Sequence, residues 1–152
     1  MPEKISPETR SKMMASIRSR DTAPELLVRR HLHAKGFRYR VSPAGLPGRP
    51  DVVMPKWKVA MFVHGCFWHG HENCRYFRLP ATRREFWAEK IASNKSRDRA
   101  VTEQLLLDGW RVVEVWEYAL RDAPEVTLRK VVRFVKNGPA HISLESLQAS
   151  SA

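Results

Sequence analysis

Gly48-Arg49-Pro50-Asp51-Val52-Val53-Met54, followed after three residues by Lys58-Val59-Ala60-Met61-Phe62-Val63-His64, is the stretch on which the fold turns. It predicts a short strand over 51–54 and a more strongly apolar strand over 58–63. An aspartate opens the first strand and a histidine closes the second. Working outward, Phe37-Arg38-Tyr39-Arg40-Val41 alternates apolar and basic residues and predicts a strand with one wet face. Ser42 to Pro50 is a Pro/Gly loop, and Trp110 to Trp116 predicts a further buried strand.

Helices fill the intervals. Ser6 and Pro7 suit the start of a helix running to about Arg20, and Thr22-Ala23-Pro24-Glu25 starts a second that ends near Lys35, with Gly36 as its stop. Thr82-Arg83-Arg84-Glu85 has the form of a capping box opening a long helix to about Leu107. Pro124 to Lys136 predicts the last helix, closed by Gly138. The order α-α-β-β-β-α-β-α predicts an α/β fold, a small mixed sheet flanked by helices. The expected organisation is an arm over 1–20, a principal domain over 21–138 and a flexible tail over 139–152.

Twenty-seven Lys and Arg against sixteen Asp and Glu give a net charge of +11, which favours a polyanionic partner, nucleic acid first. The basic residues are spread along the chain and not along one amphipathic helix, so a membrane surface is not the expected partner. No apolar run approaches the twenty residues of a membrane span. The first twenty residues are charged and lack the apolar core of a signal peptide. The cytoplasm is therefore the expected compartment, and there two cysteines read as thiols or metal ligands before a disulfide.

A carboxylate on one strand beside the end of its neighbour is one way to hold Mg²⁺ against a phosphodiester. The hard cation takes oxygen ligands, clamps the phosphate and activates water. The alternative for Asp51 is a strand-start turn residue after Pro50. Beyond the strand lies His64-Gly65-Cys66-Phe67-Trp68-His69-Gly70-His71-Glu72-Asn73-Cys74, which gathers three histidines and both cysteines. His64 and His69 can transfer protons, or can serve as zinc ligands or loop braces. Cys66, His71 and Cys74 have workable zinc spacing, but a closed structural site takes four ligands and no third cysteine exists. Phe67, Trp68 and Trp87 can stack on or wedge between bases, or pack in a core. Trp87, Lys90 and Asn94 share one helix face, from which Lys and Asn can reach bases or phosphates. Glu25, three residues after Thr22, completes a capping box or takes a catalytic role.

Taken together these residues resemble the very-short-patch repair (Vsr) DNA mismatch endonuclease family. The matching strings are Thr9-Arg10-Ser11-Lys12, Arg20-Asp21-Thr22-Ala23, Leu46-Pro47-Gly48-Arg49-Pro50-Asp51, His64-Gly65-Cys66-Phe67-Trp68-His69, Pro80-Ala81-Thr82-Arg83, Glu85-Phe86-Trp87, Glu89-Lys90-Ile91, Asn94 and Gly109-Trp110-Arg111-Val112. The resemblance covers about residues 9–121. It implies a restriction-endonuclease-like fold and nicking of one strand 5′ of the thymine at T:G mismatches, which arise when 5-methylcytosine deaminates. It further implies Mg²⁺ on Asp51 and the backbone carbonyl of Val63, with His69 as acid–base residue and His64 and Glu25 in support. Phe67, Trp68 and Trp87 would be the aromatic wedge, Met14 would enter from the other groove, and Lys90 and Asn94 would contact the mismatch region. Cys66, His71 and Cys74 would bind a structural zinc.

Two departures bear on that zinc. Where the family commonly has a cysteine in a Val-Trp-Glu-Cys string, this chain has Val115-Trp116-Glu117-Tyr118, and the His71–Cys74 spacing is one residue longer than in a typical member. The expected partner is double-stranded DNA with a T:G mismatch, with mismatch-repair proteins as further partners. An asymmetric lesion needs no two-fold reader, so a monomer is expected. Two rivals stand beside this reading: a nuclease of the same fold with broader mismatch or modified-base specificity, and a zinc-stabilised DNA-binding module without catalysis.

Overall fold

The computed structural model describes residues 22–66 and 79–144. The first helix, α1 (Ala23–Ala34), leads into β1 (Arg40–Val41), β2 (Val52–Met54), a 3₁₀ turn (Pro55–Trp57) and β3 (Val59–His64). The long helix α2 (Arg84–Leu107) follows, then β4 (Arg111–Trp116), a short α3 (Glu117–Asp122), α4 (Pro124–Asn137) and β5 (His141–Leu144). The sheet order is β1-β2-β3-β4-β5, antiparallel across the first two pairings and parallel across the last two. This is the expected mixed sheet flanked by helices, consistent with a restriction-endonuclease-like fold.

β3 is buried at all six positions, so its two faces serve two cores. Val59, Met61 and Val63 face one way and join Val28 and Leu32 of α1, Val113 and Val115 of β4, and Leu128, Val131 and Val135 of α4. Ala60 and Phe62 face the other way with Val112, against Leu105 of α2. A strand covered on both sides has no polar alternation, which is why its sequence is a continuous apolar run.

Several boundaries differ from expectation for identifiable reasons. β1 begins at Arg40 and not at Phe37. Gly36 adopts φ +90 and the Phe37 N–H bonds the Leu32 carbonyl at 3.0 Å, so Phe37 closes α1 in a Schellman-type stop and buries its ring in the core. The capping box at Thr82 does not form: α2 starts at Arg84, and its cap is Arg83, left-handed at φ 55 with no side-chain cap bond. The short helix α3 was not expected. Residues 139–152 are not wholly a flexible tail, because 141–144 pair in parallel with β4 and Leu144 is buried. Trp116 Nε1 donates to Ser143 Oγ at 2.9 Å, fastening that strand. The expected helix over 6–20 and the rest of the arm, the loop 67–78 and residues 145–152 lie outside the described residues.

The loop before β2 delivers Asp51. Gly48 sits at φ +68, and a Cβ there would meet Val101 Cγ1 of α2 at 2.4 Å, so only glycine lets the loop lie so close to that helix. Arg49 Nε donates to the Ser42 carbonyl at 2.9 Å and latches the loop across its base. Among the described residues no helix is long and apolar enough to cross a membrane.

Candidate active site

Asp51 and Val63 meet where the β2–β3 ladder ends. Val52 is opposite Met61, so two more residues of the same register would set Pro50 opposite Val63. Proline has no N–H to donate, and the ladder cannot continue. The Val63 N–H instead donates to Asp51 Oδ2 at 2.7 Å. In an extended strand a residue's N–H and C=O point to the same side, so the Val63 carbonyl also faces the Asp51 side.

The third group is Glu25, on the first turn of α1 and only 2 % exposed. Its backbone N–H lies 3.5 Å from Thr22 Oγ1, a marginal cap contact, while its side chain reaches a hydrogen bond with Asp51. A bond between two carboxyls needs one proton. Burial, first, pushes the Asp51 carboxyl up to about 7; the Val63 N–H opposes this, the charge and hydrogen bond of Glu25 add to it, and the Arg29 charge opposes it.

Two carboxyls and a backbone carbonyl form an all-oxygen donor set, which is what a hard divalent cation takes. A cation there would also relieve the crowding of negative charge at Asp51. The residues present therefore fit Mg²⁺. Cation and proton compete for one site, which fixes a pH dependence. Below about pH 7 the affinity for Mg²⁺ should fall by roughly tenfold per pH unit, read by calorimetric titration with Mg²⁺ between pH 5.5 and 8 (about the range that brackets that value). A flat affinity over that range would remove the proton from the site.

His64 ends β3. It is 5 % exposed, its ring 4.9 Å from that of Trp116 and stacked at 5.8 Å on that of Phe62. Its Nε2 is 3.8 Å from Glu114 Oε2 on β4. Glu114 also meets His141 Nε2 at 3.1 Å and accepts from Thr102 Oγ1 at 3.3 Å, so one carboxylate ties α2, β4 and β5 together beside His64. Glu114 and Arg29 were not among the residues expected at the site. A lone acid inside an apolar strand was the available signal for the first.

Cys66 is buried against Trp116 and Tyr118. Tyr118 thus lies against the thiol at the position where the resembled family commonly has a cysteine. A phenol oxygen is a poor replacement for a thiolate sulfur on zinc, and among the described residues no three His, Cys, Asp or Glu side chains could hold a metal ion by themselves. The zinc expectation gains no support there. His71 and Cys74, its other ligands, lie outside the described residues, as do His69, Phe67, Trp68 and Met14. On α2, Trp87 and Asn94 are half-buried and Lys90 is exposed. The structure therefore brings Glu25, Asp51 and Val63 together, with His64 next along the strand.

Residues 3–75 match the family model for the DNA mismatch endonuclease Vsr. The chain is 44% identical over 134 residues to the type II nicking enzyme V.XorIIP of Xanthomonas oryzae pv. oryzae, covering 87% of this chain and 98% of the relative. It is 50% identical over 119 residues to the DNA mismatch endonuclease Vsr of Escherichia coli, covering 78% and 76%. Against the type II nicking enzyme V.NmeAIP of Neisseria meningitidis it is 40% identical over 130 residues, covering 84% and 92%. The chain belongs to the Vsr family. As a Vsr-family protein it is a DNA endonuclease, a hydrolase that nicks DNA. Among the described residues of this Vsr chain, Glu25, Asp51 and Val63 form an all-oxygen donor set.

Proposed function

We propose that the chain is a Mg²⁺-dependent endonuclease that nicks one strand 5′ of the thymine at T:G mismatches, in very short patch repair of deaminated 5-methylcytosine. The observation that carries this reading is the all-oxygen cluster at the open end of the β2–β3 ladder, in a protein similar to a DNA mismatch endonuclease. Asp51 and the Val63 carbonyl would hold the cation, with Glu25 beside them. When bound, the cation supplies charge neutralisation at the scissile phosphate and a more acidic water. His69 takes or returns the proton of the reaction, and His64 supports it from a buried, ring-packed position. Phe67, Trp68 and Trp87 form the wedge, which favours a mismatch because its stack is cheaper to disturb. Lys90 and Asn94 contact the mismatch region from one face of α2. The arm, residues 1–20, grips the duplex with Met14 in the other groove, residues 21–138 carry the nuclease, and the protein acts as a monomer.

A panel of duplexes of one sequence carrying T:G, each other mismatch, or a matched pair tests the specificity. Strand-resolved nicking with Mg²⁺ should be confined to the T strand of T:G, at least about 100-fold over the matched duplex, a difference of roughly 3 kcal/mol in transition-state binding. Similar rates on several mismatches would support the broader-specificity nuclease instead. Structural zinc on Cys66, His71 and Cys74 is a separate reading. Elemental analysis of the purified protein decides it: one zinc per chain supports it and none removes it.

A further inference from the structure

The first turn of α2 carries a feature that folding alone does not explain. Arg83 caps the helix in the left-handed region, at φ 55, with no side-chain cap bond. A long side chain seldom adopts that conformation, and here it secures no capping bond in return. Instead the guanidinium carbon lies 4.3 Å from the centre of the Phe86 ring. Phe86 is 44 % exposed, the only aromatic among the exposed large apolar side chains of the described residues, and it meets Trp87 edge-on at 5.3 Å. No carboxylate among the described residues pairs with Arg83.

A guanidinium held 4.3 Å over a ring centre is covered on that side and keeps N–H groups to offer an acceptor. Those groups form a planar fork which matches a phosphate bidentately. The chain carries +11 and acts on DNA, so the complementary occupant is a phosphodiester of the duplex backbone. We propose that Arg83 and Phe86 form a phosphate clamp for duplex DNA, in which Phe86 is a positioning residue that holds the guanidinium flat. This rests on the DNA-nicking activity and not on T:G specificity. The clamp stands beside Trp87 and fixes register on the backbone without reading bases.

The test uses the full chain in chelator, so that binding is read without nicking. Arg83→Ala, Arg83→Lys, Phe86→Leu and the double variant are titrated by anisotropy against T:G and matched duplexes over a range of salt. Arg83→Ala should weaken both duplexes equally, about 5-fold, and reduce the slope of log Kd against log salt by about one. Arg83→Lys should keep the slope and lose part of the affinity. Phe86→Leu should weaken both duplexes about 3-fold and add nothing on the Arg83→Ala background. An unchanged slope in Arg83→Ala overturns the clamp. So does a Phe86→Leu loss confined to the T:G duplex, which would make the ring a mismatch reader, or a Phe86→Leu loss that adds fully to that of Arg83→Ala. A lowered melting temperature in Phe86→Leu would assign the ring to packing and overturn it too. Wild-type nicking of T:G duplexes is read separately, so failure of the clamp and failure of the mismatch reading are distinguishable.

Discussion

Asp51→Asn should reduce nicking by about 10³-fold or more while making the metal-free protein more stable. The two effects have one cause. Asparagine keeps an oxygen to accept the Val63 N–H, now 2.7 Å from Asp51 Oδ2, so the corner of the sheet is retained. It removes the charge that would hold a divalent cation, and the loss of metal-assisted catalysis is worth several kcal/mol. It also removes a carboxyl that burial and Glu25 hold at about 7 in the fold and that ionises near 4 in the unfolded chain. With the folded value raised, the folded state binds the extra proton between about pH 4 and 7. Its contribution is fully present below that window and is lost as pH rises through it, with a slope of at most roughly 1.4 kcal/mol per pH unit. The stability of wild type relative to Asp51→Asn, measured by denaturant unfolding in chelator, should therefore fall between pH 5 and pH 8 (about the ends of that window). Wild-type nicking in Asp51→Asn would remove Asp51 from the chemistry. A pH-independent stability difference would remove the shared proton.

What the sequence made legible follows from how many faces of an element are buried. β3 and β4 feed both cores and β2 is buried at all three positions, so their apolar runs declare them whatever the register. β5 did not declare itself. Its four residues are buried only at Leu144, and they follow Gly138 and Pro139, which read as the end of order. Glu25 shows a different limit. Its spacing from Thr22 fits a capping box, yet the contact comes from its backbone N–H while its side chain turns to Asp51. Spacing along the chain cannot say where a side chain goes when a strand from elsewhere arrives beside it. Pro50 is the converse case. The residue that reads as a loop marker also ends a ladder, and so frees Val63 for Asp51. Glu114 stood out only as a lone acid in an apolar strand, which does not name its partners, because Thr102 and His141 come from two other elements.

Arg111→Ala should destabilise the protein by about 3 kcal/mol or more, although the side chain is only partly buried. At the start of β4, Arg111 Nη1 donates to the Phe134 carbonyl at 2.8 Å and the Gly138 carbonyl at 3.4 Å. Its Nη2 donates to the Val135 carbonyl at 2.8 Å and the Trp57 carbonyl at 2.9 Å. One guanidinium thus gives the Val135 and Gly138 carbonyls a donor, adds a second to the Phe134 carbonyl that already accepts from the Gly138 N–H at 2.7 Å, and joins the end of α4 to the corner before β3. Its guanidinium carbon also lies 5.3 Å from the Phe134 ring centre. Lysine offers a point charge with three donors and cannot span these acceptors, so Arg111→Lys should recover only a small part. For a chain of this length about 3 kcal/mol corresponds to a fall in melting temperature of roughly 6–12 °C, and a fall of a degree or two would refute the argument. The Arg111 N–H bonds the Lys58 carbonyl, at the end of the pairing that runs to His64 opposite Trp116. Loosening Arg111 therefore acts on the site only through the register of β3 and β4. Nicking per folded molecule, measured well below the transition, should stay near wild type in Arg111→Ala, whereas Asp51→Asn loses activity in a protein that remains folded.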